Sequence, residues 1–293
     1  MKKRVSIVCV LSLVMSLFWS SQAQAATRVY MGSWDLNGNG QLQSVYNRGS
    51  YIQVEQPTGG FKSYSITSGS WALLKGGVTD TDGLPGNEMV INCGSYIKII
   101  RDAKGTTKTY SVTSGNWALL QGGITNTDGN PGNEIVINCG SYIKIIRDAK
   151  STTKTYTVTS GNWALLQGGI TDTDGYPGNE IVINCGSYIK IIRDAKSTSK
   201  TYTVTSGNWA LLSGGITDTD GHAGNEIVIN CGSYIKVIRD AKSTSKTYTT
   251  TSGNWSLVGI YNYDGNPGNE IIYRYSSGTF AIFDATGTKR KIG

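Results

Sequence analysis

Six times along the chain, acidic and amide side chains gather around one turn. From Thr171 to Ile183 the sequence reads T-D-T-D-G-Y-P-G-N-E-I-V-I, with Asp172 and Asp174 at the first and third loop positions and Glu180 at the ninth. Close copies supply Asp80, Asp82 and Glu88, then Asn126, Asp128 and Glu134, then Asp218, Asp220 and Glu226. Looser copies supply Asp35, Asn37 and Asn39 at one end, and Asn262, Asp264, Asn266 and Glu270 at the other. Carboxylates held this close repel one another unless a cation lies between them. Calcium takes six to eight oxygens from carboxylates, amides and backbone carbonyls of a tightly turning loop, so the pattern predicts Ca2+. The competing account is a plain β-turn, because Asp and Gly form turns unaided. A turn needs one Asx and one Gly; it does not need the distant glutamate that returns in loops two to six.

Other chemistry is poorly supplied. The sole histidine, His222, sits at a variable loop tip, and no nucleophile–base pair can be named, so a non-catalytic protein is expected. Trp71, Trp117, Trp163, Trp209 and Trp255 recur every 46 residues. Their reading is packing between repeats, with stacking platforms for sugar rings as the functional alternative. Tyr96, Tyr142, Tyr188 and Tyr234 pose the same choice. Lys98 and Arg101, with their equivalents, form either a cationic ring for acidic glycans or a solvated edge that discourages strand pairing. Cys93, Cys139, Cys185 and Cys231 also recur every 46 residues. Stacked sheets lie roughly 10 Å apart, too far for a disulfide, whose Cα atoms come within about 7 Å. These cysteines therefore read as small buried apolar residues.

The elements that must position these residues follow from the repeat. One unit holds four strand signals: Trp163–Leu166, an apolar run at 181–185, a run at 188–193, and an alternating segment at 201–205. The second run is apolar on both faces, as a strand between two neighbouring sheets should be. Four strands in 46 residues, six times over, predict an all-β chain: a six-bladed β-propeller of four-stranded antiparallel blades. The alternative is an open β-solenoid, whose end repeats would also be degenerate. The units fall at about 27–67, 68–113, 114–159, 160–205, 206–251 and 252–293. If the ring closes, residues 27–34 and 289–293 should lie close together.

Lys2, Lys3 and Arg4 precede an apolar stretch that ends at Ala23-Gln24-Ala25, so residues 1–25 read as a secretory signal peptide. A secreted, periplasmic or extracellular protein is expected. No later stretch is long and apolar enough to span a membrane. The formal charge is +7, and loss of the three basic residues in that segment leaves +4. No basic stripe with interleaved aromatics is present, so nucleic acid is not expected as a partner.

D-x-D-G-x-x-x-N-E-I-V-I resembles the calcium loop of FG-GAP and VCBS-type repeats, found in integrin α-subunit propellers and many secreted bacterial propellers. The resemblance covers six short loops and the strand after each. It implies cation binding at Asp80, Asp82 and Glu88 and at the matching residues of later loops. Two positions depart from the family pattern. The fifth, usually acidic, is Asn39, Leu84, Asn130, Tyr176, His222 or Asn266, and the sixth, usually glycine, is proline in four loops. Loops three and six keep an amide at the fifth position and Glu at the ninth, which makes them good candidates, whereas loop one ends in Gln43. Sites built many times over suit multivalent binding. The expected partner is an extracellular glycan, bound as a lectin or adhesin would. The alternative is a protein scaffold contacted through the variable tips Leu84, Asn130, Tyr176 and His222.

Overall fold

The computed structural model describes residues 27–66, 70–112, 116–158, 163–204, 209–250 and 255–293; the expected signal segment, residues 1–25, lies outside them. The described residues form six four-stranded sheets and no helix, each sheet built from four consecutive strands. All strand pairs are antiparallel. Sheet one comprises Val29–Trp34, Gln43–Asn47, Tyr51–Glu55 and Phe61–Ser65. Sheet four comprises Ala164–Thr171, Glu180–Asn184, Tyr188–Arg193 and Thr198–Thr203. Sheet six comprises Ser256–Tyr261, Glu270–Tyr275, Gly278–Phe283 and Thr288–Lys291. Sheets two, three and five repeat the pattern over 72–111, 118–157 and 210–249. This is the blade set of a six-bladed β-propeller.

The second strand shows why the sheets stack. Ile181, Val182 and Ile183 are all fully buried. Ile181 and Ile183 pack with Val136, Ile143 and Ile145 of sheet three, while Val182 packs with Ile227 and Ile229 of sheet five. β-Branched residues suit such a pleated, doubly covered surface. Each such side chain contributes about 1.5–3 kcal/mol on burial. Neither face could be buried by one sheet alone.

The structure changes three details of the sequence reading. The first strand runs on to Thr171, because the chain bulges instead of stopping at the glycines: the register slips between Leu165 and Ile170. Gly169 is obligatory there, since a Cβ would fall 2.7 Å from the Val182 carbonyl oxygen. The outer strand lies earlier, at Thr198–Thr203. The four cysteines are unpaired but only half-buried. The first strand pairs within sheet one and the last within sheet six.

Candidate metal centre and loop face

Each acidic loop joins the first strand of a sheet to the second. In loop four, Asp172 Oδ1 accepts the N–H groups of Asp174 (3.1 Å) and Gly175 (2.7 Å). Asp174 Oδ1 accepts Tyr176 N–H at 3.1 Å, and Glu180 Oε2 accepts Thr173 N–H at 2.7 Å. These bonds wind the loop so that its acids converge. In loops two, four and five, three carboxylates each place an oxygen within 4.8 Å of the others: Asp80–Asp82–Glu88, Asp172–Asp174–Glu180 and Asp218–Asp220–Glu226. Three oxygens of this type fit a hard cation such as calcium, with backbone carbonyls and water completing the shell.

The glutamates register the crowding. Glu88, Glu134, Glu180 and Glu226 are 1% exposed. Burial pushes their carboxyls up to about 7, against the pull of the threonine N–H and with help from neighbouring aspartates. The third-position aspartates are held differently, because the chain supplies its own cation. Lys104, Lys150, Lys196 and Lys242 place Nζ 2.5–2.7 Å from Oδ2 of Asp82, Asp128, Asp174 and Asp220. For Asp128 and Asp220 burial pushes the carboxyl up, but the lysine together with the loop's own contacts from Asn130 or His222 outweighs it, and the net shift is down. Asp174 Oδ2 takes no well-angled hydrogen bond and is satisfied by the Lys196 charge. The Lys196 ammonium also stacks on the Tyr176 ring at 3.5 Å.

Loops three and six differ from the others in the amide at their first position. Asn126 Nδ2 donates to the Asn130 carbonyl at 2.5 Å, and Asn262 Nδ2 donates to the Asn266 carbonyl at 2.6 Å. The Gly129 and Gly265 N–H groups fix each amide's orientation by bonding its oxygen. The amide thus takes the fifth-position carbonyl for itself. An aspartate there puts a second oxygen in place of that donor, which is the arrangement a cation would bridge. Loop one is also self-satisfied, with Asp35 accepting Gly38 and Gly40 N–H, Asn37 accepting Asn39 N–H, and Asn39 accepting Gln41 N–H. Asp264 is exposed and has no lysine partner among the described residues. The tips Leu84 (48%) and Tyr176 (57%) are exposed, as is His222, whose Nδ1 lies 2.9 Å from the Asp220 carbonyl.

The residue absent from the sequence reading is the aspartate opening the last turn of sheets two to six. Asp148, fully buried, receives Arg101 of the preceding sheet through two side-chain bonds (Nε–Oδ2 2.9 Å, NH2–Oδ1 2.5 Å). Tyr110 O–H donates to Oδ1 at 2.6 Å and Thr81 O–H to Oδ2 at 2.9 Å. The node recurs at Asp194, Asp240 and Asp284, while at Asp102 Lys62 and Gln56 stand in for the arginine. Arg101 and its equivalents are therefore neither a glycan ring nor a solvated edge. Their recurrence 47 residues before an aspartate (45 for Arg239) was the available signal. Because Thr81 and its equivalents also approach the loop glutamate's Oε2 at 3.2–3.3 Å, loops two to five are each wired to the next sheet.

The tryptophans tie the opposite side. Each indole N–H of Trp71, Trp117, Trp163, Trp209 and Trp255 donates to a glycine carbonyl of the preceding sheet, at 2.6–3.2 Å. The rings remain half-exposed. Lys98 donates to the Ser65 carbonyl at 2.6 Å, again across sheets. The bulged first strands line apolar clefts, one of about 770 Å³ between sheets two and three beside Leu74, Leu120 and Ile124.

No family model matches the chain, and no curated protein does. Among solved structures, one similar chain is an Agrocybe aegerita lectin that recognises non-reducing terminal N-acetylglucosamine; it is 12% identical, with a TM-score of 0.39 over 92% of this chain and 80% of that one. Another is virginiamycin B lyase from Staphylococcus aureus, 15% identical, with a TM-score of 0.34 over 90% and 87%. A third belongs to the mitotic checkpoint complex, 11% identical, with a TM-score of 0.35 over 92% and 77%. Function is therefore read from the chain's own residues.

Proposed function

We propose that the chain is an extracellular, non-catalytic binding propeller of FG-GAP or VCBS type, braced by calcium, whose loop face holds a protein partner. One observation carries this reading. The side chains that repeat from sheet to sheet are engaged between sheets, whereas the fifth loop position is exposed and different in every central copy: Leu84, Asn130, Tyr176 and His222. A uniform scaffold with a varied row of tips suits one extended surface better than identical small ligands. Replacing Leu84, Tyr176 and His222 together with asparagine, the residue already present at loops three and six, should leave thermal stability within a few degrees of the parent. The same variant should lose retention of the partner found by crosslinking on cells or matrix. Undiminished retention would refute the loop-face assignment.

The glycan reading keeps support from the half-exposed tryptophans, which repeat at five sheet junctions. A glycan array probed with the native chain in millimolar calcium separates the two. Binding that survives the tip substitutions and is lost on Trp163→Phe would favour the lectin.

Calcium would be held by loops two, four and five, where three carboxylates converge. Titration calorimetry should give three sites per chain, with affinities of roughly 10⁻⁴ to 10⁻³ M as in other extracellular modules. Asp218→Asn should reduce the count to two. Lys196→Met should tighten loop four by removing the competing ammonium. The absence of any saturable heat in that range would reduce these loops to turns.

A further inference from the structure

Five junctions between consecutive sheets share one set of fastenings, and the seam between sheets six and one lacks every member of the set that can be compared. At each junction a tyrosine and an arginine or lysine donate to a buried aspartate of the following sheet, ending at Asp284, and at all but the first a threonine joins them. To continue past sheet six, the donors would have to be Phe283, Ile292 and Tyr263, which occupy the positions of Arg239, Tyr248 and Thr219. On the receiving side, the corresponding turn of sheet one reads Gln56-Pro57-Thr58-Gly59-Gly60 and contains no acid. The loops repeat the lesson. The backbone N–H of Asn87, Asn133, Asn179, Asn225 and Asn269 each donates to the preceding loop at 2.8–2.9 Å. Loop one has Leu42 at that position, 62% exposed. Gly38, Gly83, Gly129, Gly175 and Gly221 each nest against the proline or alanine of the next loop, while Gly265 has nothing within 4 Å of a Cβ placed on it.

The outer face of sheet one completes the pattern. Where sheet two presents Met89, Ile91 and Ile100 to its predecessor, sheet one carries Ser44, Tyr46 and Glu55. These polar groups are satisfied at home: Arg28 pairs with Glu55 at 2.6 Å and stacks on Tyr46 at 3.6 Å, and Gln53 donates to Glu55 at 3.2 Å. Five hydrophobic clusters each combine two consecutive sheets, whereas the sixth is confined to sheet six. Among the described residues, no hydrogen bond, ion pair, ring contact or shared core joins sheet one to sheet six. A polar outer face is how stacked repeats end, and sheet one has one, whereas sheet six keeps Ile272, Ala281 and Phe283 buried in a cluster of its own.

We infer that the propeller is unlatched at this seam: sheets one and six act as end caps that part while the blades remain folded. Opening there changes the spacing between the first and last loops without breaking any of the five fastened junctions. The inference is independent of what the loop face binds. The same missing fastenings predict that a second copy does not dock head to tail.

The test compares the seam with a fastened junction in the full mature chain. Spin labels at S63C and K291C report the seam, and labels at S63C and T109C report the junction of sheets one and two. Both pairs are introduced with Cys93, Cys139, Cys185 and Cys231 replaced by serine. The junction pair should give one narrow distance, and the seam pair a longer and broader distribution. On the unmodified chain, a short lysine-reactive crosslinker should join Lys62 to Lys104 or Lys108 but not to Lys289 or Lys291. A seam distance as short and narrow as the control, or abundant Lys62–Lys291 crosslinks, would overturn the inference.

Discussion

Asp194→Ala is expected to lower stability by about 3–5 kcal/mol, the usual consequence of removing one partner of a buried, hydrogen-bonded ion pair. The carboxylate is fully buried and receives four donors: Arg147 through Nε (2.9 Å) and NH2 (2.5 Å), Tyr156 O–H (2.8 Å) and Thr127 O–H (3.0 Å). Alanine leaves a mostly enclosed arginine, with 12% of its side chain exposed, whose remaining anion is Asp128 Oδ2, 3.9 Å from Nε and already held by Lys150 at 2.6 Å. It also strands two hydroxyls, each at a further cost of order 1–3 kcal/mol unless water enters. Urea unfolding gives the total. Hydrogen exchange locates it, and protection should fall in sheets three and four before sheet one, because each sheet touches only its neighbours. The control is the pair Arg147→Met with Asp194→Leu. Replacing both charges by apolar groups is often neutral, so the double variant should recover most of the loss. A single-variant loss below about 1 kcal/mol would show that the node is slack.

The fold was legible because its cause is periodic. Trp163, Cys185 and Tyr188 return at a fixed interval, and the apolar run at 181–183 can be buried only between two sheets. The acidic loops were legible for the same reason. What the pattern could not convey was pairing between different repeats. Arg147 read as a surface charge because its partner, Asp194, belongs to the next turn of sequence and resembles an ordinary turn residue. Lys150 was overlooked as the cation for Asp128 because 22 residues separate them along the chain. Loops three and six part from the others at a single atom. Asn and Asp look interchangeable as ligands, yet an amide nitrogen can bond the Asn130 carbonyl whereas a carboxylate oxygen repels it. The seam was visible only by subtraction: Pro57, Leu42 and Phe283 mean little until the structure shows what Asp102, Asn87 and Arg239 do.

Without divalent metal, the chain should lose stability as pH rises from about 5 to 8, which is opposite to the usual behaviour of salt-bridged carboxylates. Glu88, Glu134, Glu180 and Glu226 are pushed from 4.5 up to about 7 in the folded protein, chiefly by burial. Between those values the folded state binds more protons than the unfolded one, so the slope of stability against pH is negative. The contribution is fully present below 4.5 and is lost as pH climbs through 7. At 1.36 kcal/mol per unit, each glutamate is worth on the order of 3 kcal/mol across the window. Asp128 and Asp220 are lowered from 3.8, so their opposite contribution is lost only in acid below that value and does not interfere. Calcium should reverse the trend, because it demands ionised ligands and competes with these protons. In chelator, the melting temperature at pH 8 should lie below that at pH 5. Millimolar calcium should raise it at pH 8 and leave it nearly unchanged at pH 5. Glu180→Gln should flatten the chelated profile and reduce the calcium gain, since the amide neither titrates nor offers a charge. A chelated melting temperature that climbs from pH 5 to 8 would mean that the glutamates are already ionised, with Lys104, Lys150, Lys196 and Lys242 serving as the only cations these loops require.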